Sequence, residues 1–134
     1  MIKLSKKWSY AIKAMVYLAL NSDKLVNISE ISEKQKIPQS LLRRIIADLD
    51  KTSLIETTKW RNGWIKITKR PKEITIYDIL FSVWEELWVT DCSKWLICDN
   101  HNACSTFDFY AILQKWLNGI LKIYTLDKII KSKR

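Results

Sequence analysis

The feature that most constrains the fold is a pair of short helical patterns followed directly by two β-prone stretches, between residues 28 and 68. Ser29 is expected to open the first helix, with Glu30 and Glu33 in its first turn. Pro38 opens a second helix that runs to about Lys51. Its apolar residues recur on one face, at Leu41, Leu42, Ile45, Ile46 and Leu49. Two short helices joined by a tight turn are typical of a helix-turn-helix, although an ordinary pair of surface helices is the alternative.

The opposite side of the second helix carries side chains that are suited to reading DNA. They are Gln39, Ser40, Arg43 and Arg44. An Arg guanidinium can bond guanine O6 and N7 together, Gln pairs with adenine, and Ser reaches a phosphate or a base edge. The sequence therefore predicts that these four residues contact double-stranded DNA.

The two β-prone stretches predict a β-hairpin with a basic, aromatic tip. Residues 55–58 and 65–68 flank the tip, in which Asn62 and Gly63 both tolerate the positive φ of hairpin turns. A hairpin directly after a recognition helix is a wing, and we expect Arg61 to enter a minor groove. The other predicted wing contacts are Lys59, Asn62 and Lys66, with Lys69 and Arg70 on phosphates.

The second half of the chain predicts one more medium helix, a long helix and a short last helix at residues 125–130. Residues 74–88 show a helical pattern in which Trp84 and Trp88 are expected in the core. Ser105 is expected to cap the long helix, with Asp108 three residues on. Apolar residues cover more of the long helix than a monomer of this size can bury: Tyr110, Ile112, Leu113, Trp116, Leu117, Ile120, Leu121 and Tyr124. We therefore expect this helix to pack against a second copy in a homodimer.

All three cysteines and the single histidine of the sequence lie in residues 92–104, the cysteine segment, with the spacing C-x5-C-x5-C. Thiolates are strong donors, so Cys92, Cys98 and Cys104, with His101 beside them, are candidate ligands of a zinc ion or an iron–sulfur cluster. The sequence has neither the C-x2-4-C pairs of structural zinc sites nor the C-x-x-C of redox thiols. Half-buried cysteines that act as small hydrophobes are the alternative.

Charge divides the chain into two parts. Residues 1–72 carry 16 Lys or Arg against 6 Asp or Glu, and residues 73–134 carry 7 against 8, so +10 and −1 give the net charge of +9. A strongly basic half indicates contact with a polyanion. We expect a DNA-binding region at 1–72, followed at 73–134 by a cysteine loop (90–108) and the dimerisation helix.

Several classes of protein are disfavoured by the sequence. No apolar run approaches the length of a membrane span, and we expect a cytoplasmic protein without a membrane partner. Neither a convincing nucleophile set nor a phosphate-binding glycine loop is present, so we do not expect an enzyme. One alternative to a DNA-binding protein remains. It is a redox enzyme or a cluster carrier whose basic half docks an acidic partner.

The ordered combination of these features resembles the IscR/NsrR family of bacterial winged-helix regulators, along essentially the whole chain. The resemblance rests on residues 3–11 and 28–35, the wing, the cysteine spacing and the tail at 125–130. It implies a mainly α fold with a small β-hairpin, in which a winged helix-turn-helix domain is joined to a long dimerisation helix. It also implies a homodimeric transcription factor that binds palindromic promoter DNA. In such a protein Cys92, Cys98 and Cys104 would hold a 2Fe-2S or 4Fe-4S cluster that senses cluster supply, iron, redox state or nitric oxide.

The chain departs from the family pattern in two places. The family's wing is glycine-rich, whereas Gly63 stands alone here, so a stiffer tip is expected. IscR-type members have a histidine three residues after the last cysteine, where this chain has Phe107, and NsrR-type members use an acidic residue near the position of Ser9. His101 and Asp108 are therefore the local candidates for the fourth ligand, followed by Asp99, and a thiol, a water molecule or a small ligand is a further alternative. The alternative function is a winged-helix regulator with a thiol or zinc switch and no iron–sulfur cluster.

Overall fold

The computed structural model describes residues 5–58, 63–84, 88–89 and 103–132 of the chain. Within these residues the helices are α1 (Lys6–Leu20), α2 (Ile28–Gln35), α3 (Gln39–Lys51), α4 (Ile76–Ser82), α5 (Phe107–Ile123) and α6 (Leu126–Ser132). The strands are β1 (Val26–Asn27), β2 (Ile55–Thr57) and β3 (Trp64–Ile67), and a 3-10 turn at Pro71–Glu73 precedes α4. The prediction of a mainly α fold with a winged helix-turn-helix and one long helix is confirmed.

The first two helices begin at polar side chains that accept a backbone hydrogen bond. Ser5 caps α1, with its hydroxyl oxygen 3.2 Å from the backbone nitrogen of Trp8. The prediction that Ser29 opens α2 is wrong, because Asn27 caps that helix and accepts from the backbone N–H of Glu30 at 2.7 Å. Asn is as good a cap as Ser, and Asn27 is also the last residue of β1, so the strand fixes where the helix begins.

The turn between α2 and α3 is held by one side-chain bond and one buried residue. Lys36 ends α2 in the left-handed conformation, with φ 53° and ψ 47°. The hydroxyl of Ser32 donates to the carbonyl of Ile37 at 2.6 Å, and the Ile37 side chain is buried. Pro38 then precedes the first turn of α3, whose residues Leu42, Ile45, Ile46 and Leu49 are buried as predicted. The helix-turn-helix is therefore present where the sequence predicted it.

The wing is part of a three-stranded antiparallel sheet with the order β1-β3-β2. In the predicted hairpin, Ile55 pairs with Ile67 and Thr57 with Ile65. The strand β1 was not predicted, because a strand of two residues is too short to show an alternating pattern. It pairs Val26 with Ile65, so the middle strand β3 is hydrogen-bonded on both sides and the wing is fastened to the body of the protein.

A single hydrophobic core draws on residues from both parts of the chain. Met15, Ile45, Ile79 and Leu126 come from four different helices and are all fully buried. The backbone N–H of Leu126 donates to the carbonyl of Ile74 at 2.8 Å, next to an isolated bridge between Thr75 and Thr125. The division at residue 72 thus stays a prediction about function, since residues on either side of it build the same core.

The fourth helix is shorter than the predicted helix at residues 74–88. A reciprocal capping box between Thr75 and Asp78 starts it, but it ends at Ser82. The backbone N–H of Val83 is shared between the carbonyls of Ile79 and Phe81, which tightens the last turn. Trp84 then adopts a positive φ of 60° and is 79% exposed, so the prediction that it lies in the core is wrong.

Trp88, the other tryptophan expected in the core, has a half-buried side chain. None of the helices in the described part of the chain combines the length and the apolar character that crossing a bilayer requires.

Candidate DNA-reading face and cysteine segment

The exposed side of α3 carries all four residues predicted to read DNA. Gln39, Ser40, Arg43 and Arg44, which we call the reading face, are exposed, whereas the opposite side of the helix is buried. The apolar face of α3 fixes this orientation, because that face can be buried only when the polar residues point outward. The first turn of this fully described helix has no acidic residue, so the partial positive charge at its N-terminus is not opposed there. The arrangement suits insertion of α3 into a negatively charged groove.

One residue of α2 extends the reading face. The side-chain amide nitrogen of Gln39 donates to the hydroxyl of Ser29 at 3.3 Å. This bond connects the first turns of α2 and α3 and restricts the side chain of Gln39. From the sequence, Ser29 is predicted only to start α2. Its role depends on the spatial proximity of two helix starts, for which the sequence pattern holds no signal.

The described part of the wing presents one of its predicted contacts to solvent. Lys66 is exposed, while its neighbours Ile65 and Ile67 are buried, as the alternation of a strand requires. Gly63 has the expected positive φ, at 40°. The predicted tip contacts Lys59, Arg61 and Asn62 lie outside the described residues.

The helix α1 braces the helix-turn-helix through two polar contacts. The hydroxyl of Tyr17 donates to Glu30 Oε1 at 2.7 Å, and Lys24 Nζ lies 2.6 Å from the same oxygen. Hydrogen bonds from Lys24 and then from Tyr17 lower the pKa of Glu30. Lys7 on α1 also forms an ion pair with Asp48 on α3, at 3.4 Å. Both helices of the helix-turn-helix, α2 and α3, are therefore bonded to α1.

Cys104 is the one member of the predicted cysteine set within the described residues, since Cys92, Cys98 and His101 lie outside them. Its Sγ is 3.3 Å from the hydroxyl oxygen of Thr106. Hydrogen bonds from the Thr106 hydroxyl, and then from the backbone at Thr106 and Phe107, lower the pKa of the Cys104 thiol. Because the thiolate is the form that binds metals, this environment fits a ligand role for Cys104.

The start of α5 differs from its prediction. Thr106, rather than Ser105, is the N-cap, and no side-chain hydrogen bond caps the helix. The backbone of Thr106 is already close to helical, and its hydroxyl faces Cys104. Asp108 is exposed in the first turn of α5. Over the described residues, no group of three or more potential metal-ligating side chains comes together, so the complete ligand set stays a prediction.

The long helix α5 exposes an apolar stripe. Its members are Phe109 (60% exposed), Ile112 (54%), Trp116 (68%), Ile120 (62%) and Ile123 (66%). Steps of three and four residues place them on one side of the helix. Gly119 lies on the same side, and a Cβ added there would meet no atom within 4 Å. The opposite side carries Gln114, the buried residue of this helix.

The chain is similar to transcriptional regulators along its whole length. A family model described as Rrf2, iron-dependent transcriptional regulator, matches residues 4–132. The HTH-type transcriptional regulator NsrR of Oceanobacillus iheyensis is 31% identical over 136 residues, a match that covers 98% of this chain and 91% of the relative.

Solved structures show the same likeness. IscR of T. potens superposes with a TM-score of 0.78 at 25% identity, over 99% of this chain and 89% of that one. CymR, the global cysteine regulator of B. subtilis, has the same fold, with a TM-score of 0.80 at 17% identity over 98% of both chains.

Proposed function

The chain belongs to the Rrf2 family of winged-helix transcriptional regulators, and from that premise we propose that it is a homodimer whose binding to promoter DNA responds to an iron–sulfur cluster on Cys92, Cys98 and Cys104. The observation that carries the proposal is the environment of Cys104. Hydrogen bonds from Thr106 lower the pKa of its thiol, and it stands directly before the helix that carries the apolar stripe. Regulation of transcription through DNA binding is what the family and the named relatives have in common.

The reading face is proposed to make the base contacts. Its four side chains are exposed on a helix whose other side is fixed in the core, which is the arrangement that lets a helix enter the major groove. Lys66 is proposed to contact a phosphate, with Lys59, Arg61 and Asn62 acting at the tip of the wing.

Substitutions separate the two kinds of DNA contact. Arg43→Ala or Arg44→Ala should cost about 1–3 kcal/mol on the preferred sequence and reduce discrimination against other sequences. Lys66→Ala should weaken binding to all sequences alike and lower the slope of log K against log salt by about one unit. Lys115→Ala, an exposed charge on α5, is the matched control and should leave binding unchanged. If the arginine variants lose affinity equally on preferred and random duplexes, they anchor phosphates and do not read bases.

The apolar stripe of α5 is proposed to be the dimer interface. Five large apolar side chains in solvent are unfavourable, and a second copy of the same stripe would bury them. Gly119 supports this proposal, because a glycine within a helix costs about 1 kcal/mol relative to Ala. The described part of the chain does not need it for space, whereas a second helix approaching closely would.

The proposed cluster would be held by the three cysteines, with His101 or Asp108 completing the set. When bound, an iron–sulfur cluster supplies iron that reacts with oxygen and nitric oxide and changes redox state. The residues around Cys104 favour its ionised form: the Thr106 hydroxyl and the backbone at the start of α5 hydrogen-bond to the sulfur. A gain or loss of charge beside the first turn of α5 would act directly on the proposed interface helix.

Anaerobic purification tests the proposal. We expect coloured protein that contains iron and whose gel-shift affinity for promoter DNA changes when the cluster is removed. Cys104→Ala should lose the visible absorption, and Ser105→Ala is the matched control that should keep it. Colourless, iron-free protein that reconstitution does not rescue would refute the cluster proposal. Stoichiometric zinc, or a reversible disulfide without iron, would instead support the thiol or zinc switch.

A further inference from the structure

Two buried polar side chains form hydrogen bonds at residues 82 and 89, which precede the cysteine segment in the sequence. Within the described residues, Ser82 (3% exposed) and Gln114 (8%) are the buried residues that are not hydrophobic. Ser82 ends α4, and Gln114 contacts Val89, which is three residues before Cys92. A buried polar group must keep a hydrogen-bond partner, so contacts of this kind are either made or exchanged and do not slide as apolar contacts do.

The first contact joins α4 to the recognition helix. The hydroxyl of Ser82 donates to the carbonyl of Asp78 at 2.7 Å, and the hydroxyl oxygen of Thr52 lies 2.7 Å from that of Ser82. Because the hydrogen of Ser82 is already donated, Thr52 supplies the hydrogen between the two hydroxyls. Thr52 is the C-cap of α3, and its hydroxyl also lies 3.1 Å from the carbonyl of Leu49. The last turn of the recognition helix is therefore bonded to the last turn of α4.

The second contact joins the entrance of the cysteine segment to α5. The side-chain oxygen of Gln114 accepts from the backbone N–H of Val89 at 2.8 Å, and its nitrogen donates to Asn118 at 3.1 Å. Gln114 lies on the side of α5 opposite the apolar stripe. A shift of the backbone at Val89 must therefore either move α5 or break a bond to a buried amide.

We propose that the Thr52–Ser82 and Val89–Gln114 contacts are the links through which a chemical change at the cysteines reaches the recognition helix and the long helix. Ser82 and Val89 are seven positions apart in sequence, so the two links act on one short stretch of chain. Ser82, Thr52 and Gln114 are positioning residues: they act through α3, which carries the reading face, and through α5, which carries the apolar stripe. The inference rests on the proposed function only in taking the cysteine segment as the sensing element.

The test uses the reciprocity of coupling and needs no cluster. If the state of the cysteine segment alters DNA affinity, bound DNA must alter the state of the segment by the same factor. The probe is alkylation by iodoacetamide in the cluster-free, full-length protein, followed for each cysteine by mass spectrometry. The rates are compared with and without a saturating duplex selected for binding from a random pool. We expect DNA to change the rate of at least one cysteine about threefold or more in the wild type.

Variants locate the route. In the variants Ser82→Ala and Gln114→Leu, the alkylation rates with and without DNA should differ by less than about 1.5-fold. Thr52→Val removes the first link from its exposed side, so it tests the same bond even if Ser82→Ala folds poorly. The coupling in the double variant Thr52→Val and Ser82→Ala should equal that in either single variant, because both substitutions remove the same Thr52–Ser82 bond. Gln114→Glu keeps the acceptor for Val89 and should preserve the coupling.

The control is Ser132→Ala, which removes a serine hydroxyl that bonds to a helix carbonyl on α6, away from both links. It should keep the full wild-type response. The inference would be overturned if DNA leaves the alkylation rates of the wild type unchanged. It would also be overturned if the rates respond to DNA as in the wild type in the variants Ser82→Ala, Thr52→Val and Gln114→Leu. Iron-free protein would refute the proposed cofactor and leave this measurement unaffected, so the two failures are distinguishable.

Discussion

Replacing Trp116 with Ala should dissociate the proposed dimer. Trp116 is 68% exposed in the single chain, which for an aromatic side chain of about 200 Å² is about 140 Å² per copy. A symmetric interface contains the residue twice, so truncation removes up to about 280 Å² of buried apolar surface. At about 25 cal/mol per Å², this area corresponds to at most about 7 kcal/mol of association free energy. Because a hot-spot position, of which Trp is a typical example, loses about 2–4 kcal/mol on truncation, we expect the dimer dissociation constant to rise about 30- to 1,000-fold.

Sedimentation velocity over a dilution series measures this change. The wild type should sediment as a dimer at micromolar concentrations, and Trp116→Ala should shift toward the monomer in the same range. Leu25→Ala is the matched control, since Leu25 is also a large exposed apolar residue (53%) but lies just before β1. Unchanged association of Trp116→Ala, or equal disruption by Leu25→Ala, would refute the assignment of the interface to the apolar stripe.

Three smaller predictions concern stability. Lys36→Gly should raise the free energy of unfolding by about 0.5–1 kcal/mol in urea, because glycine removes the strain of a left-handed lysine at the end of α2; a lower value would show that the Lys36 side chain itself stabilises the turn. Glu30→Gln should lower the free energy of unfolding by about 0.5–1 kcal/mol near pH 7. The pKa of Glu30 is depressed in the folded state, so its contribution is present above the unfolded pKa and is lost as the pH falls through the folded one. The difference between wild type and variant should therefore shrink as the pH falls below the usual pKa of a glutamate and vanish once Glu30 is protonated in the folded protein; a difference that does not shrink in acid would contradict the assignment. Gly119→Ala should raise the thermal stability of the monomeric Trp116→Ala background while weakening self-association in the wild-type background; stronger association would exclude a close helix approach at Gly119.

The long, periodic parts of the fold could be predicted from the sequence, and the short or tightened parts could not. The bounds of α3 follow from Pro38 and a regular apolar stripe, and the exposure of the reading face follows from the same pattern. The end of α4 depends on how the N–H of Val83 divides between two carbonyls, which apolar spacing does not encode. The choice between Ser105 and Thr106 as the cap depends on the contact with Cys104.

The candidate site shows the same limit. Arg43 and Arg44 were recognisable because residue chemistry and local periodicity agree at those positions. The role of Ser82 depends on a partner 30 residues away, and that of Gln114 on a partner 25 residues away. Neither residue type carries a signal for such a contact in a single sequence. The exposure of the side chains proposed to read DNA could therefore be predicted, whereas the hydrogen bonds that connect the helices could not.

The return of α6 to the start of the chain has a consequence for synthesis. Leu126 is fully buried in the same core as α1, and it leaves the ribosome after all the other buried hydrophobic residues of that core in the described part of the chain. The core therefore cannot close until translation has passed this point. A chain that stops before Leu126 lacks the buried side chain with which α6 packs against α1 and the 3-10 turn at Pro71–Glu73, so the helix-turn-helix alone does not close this core.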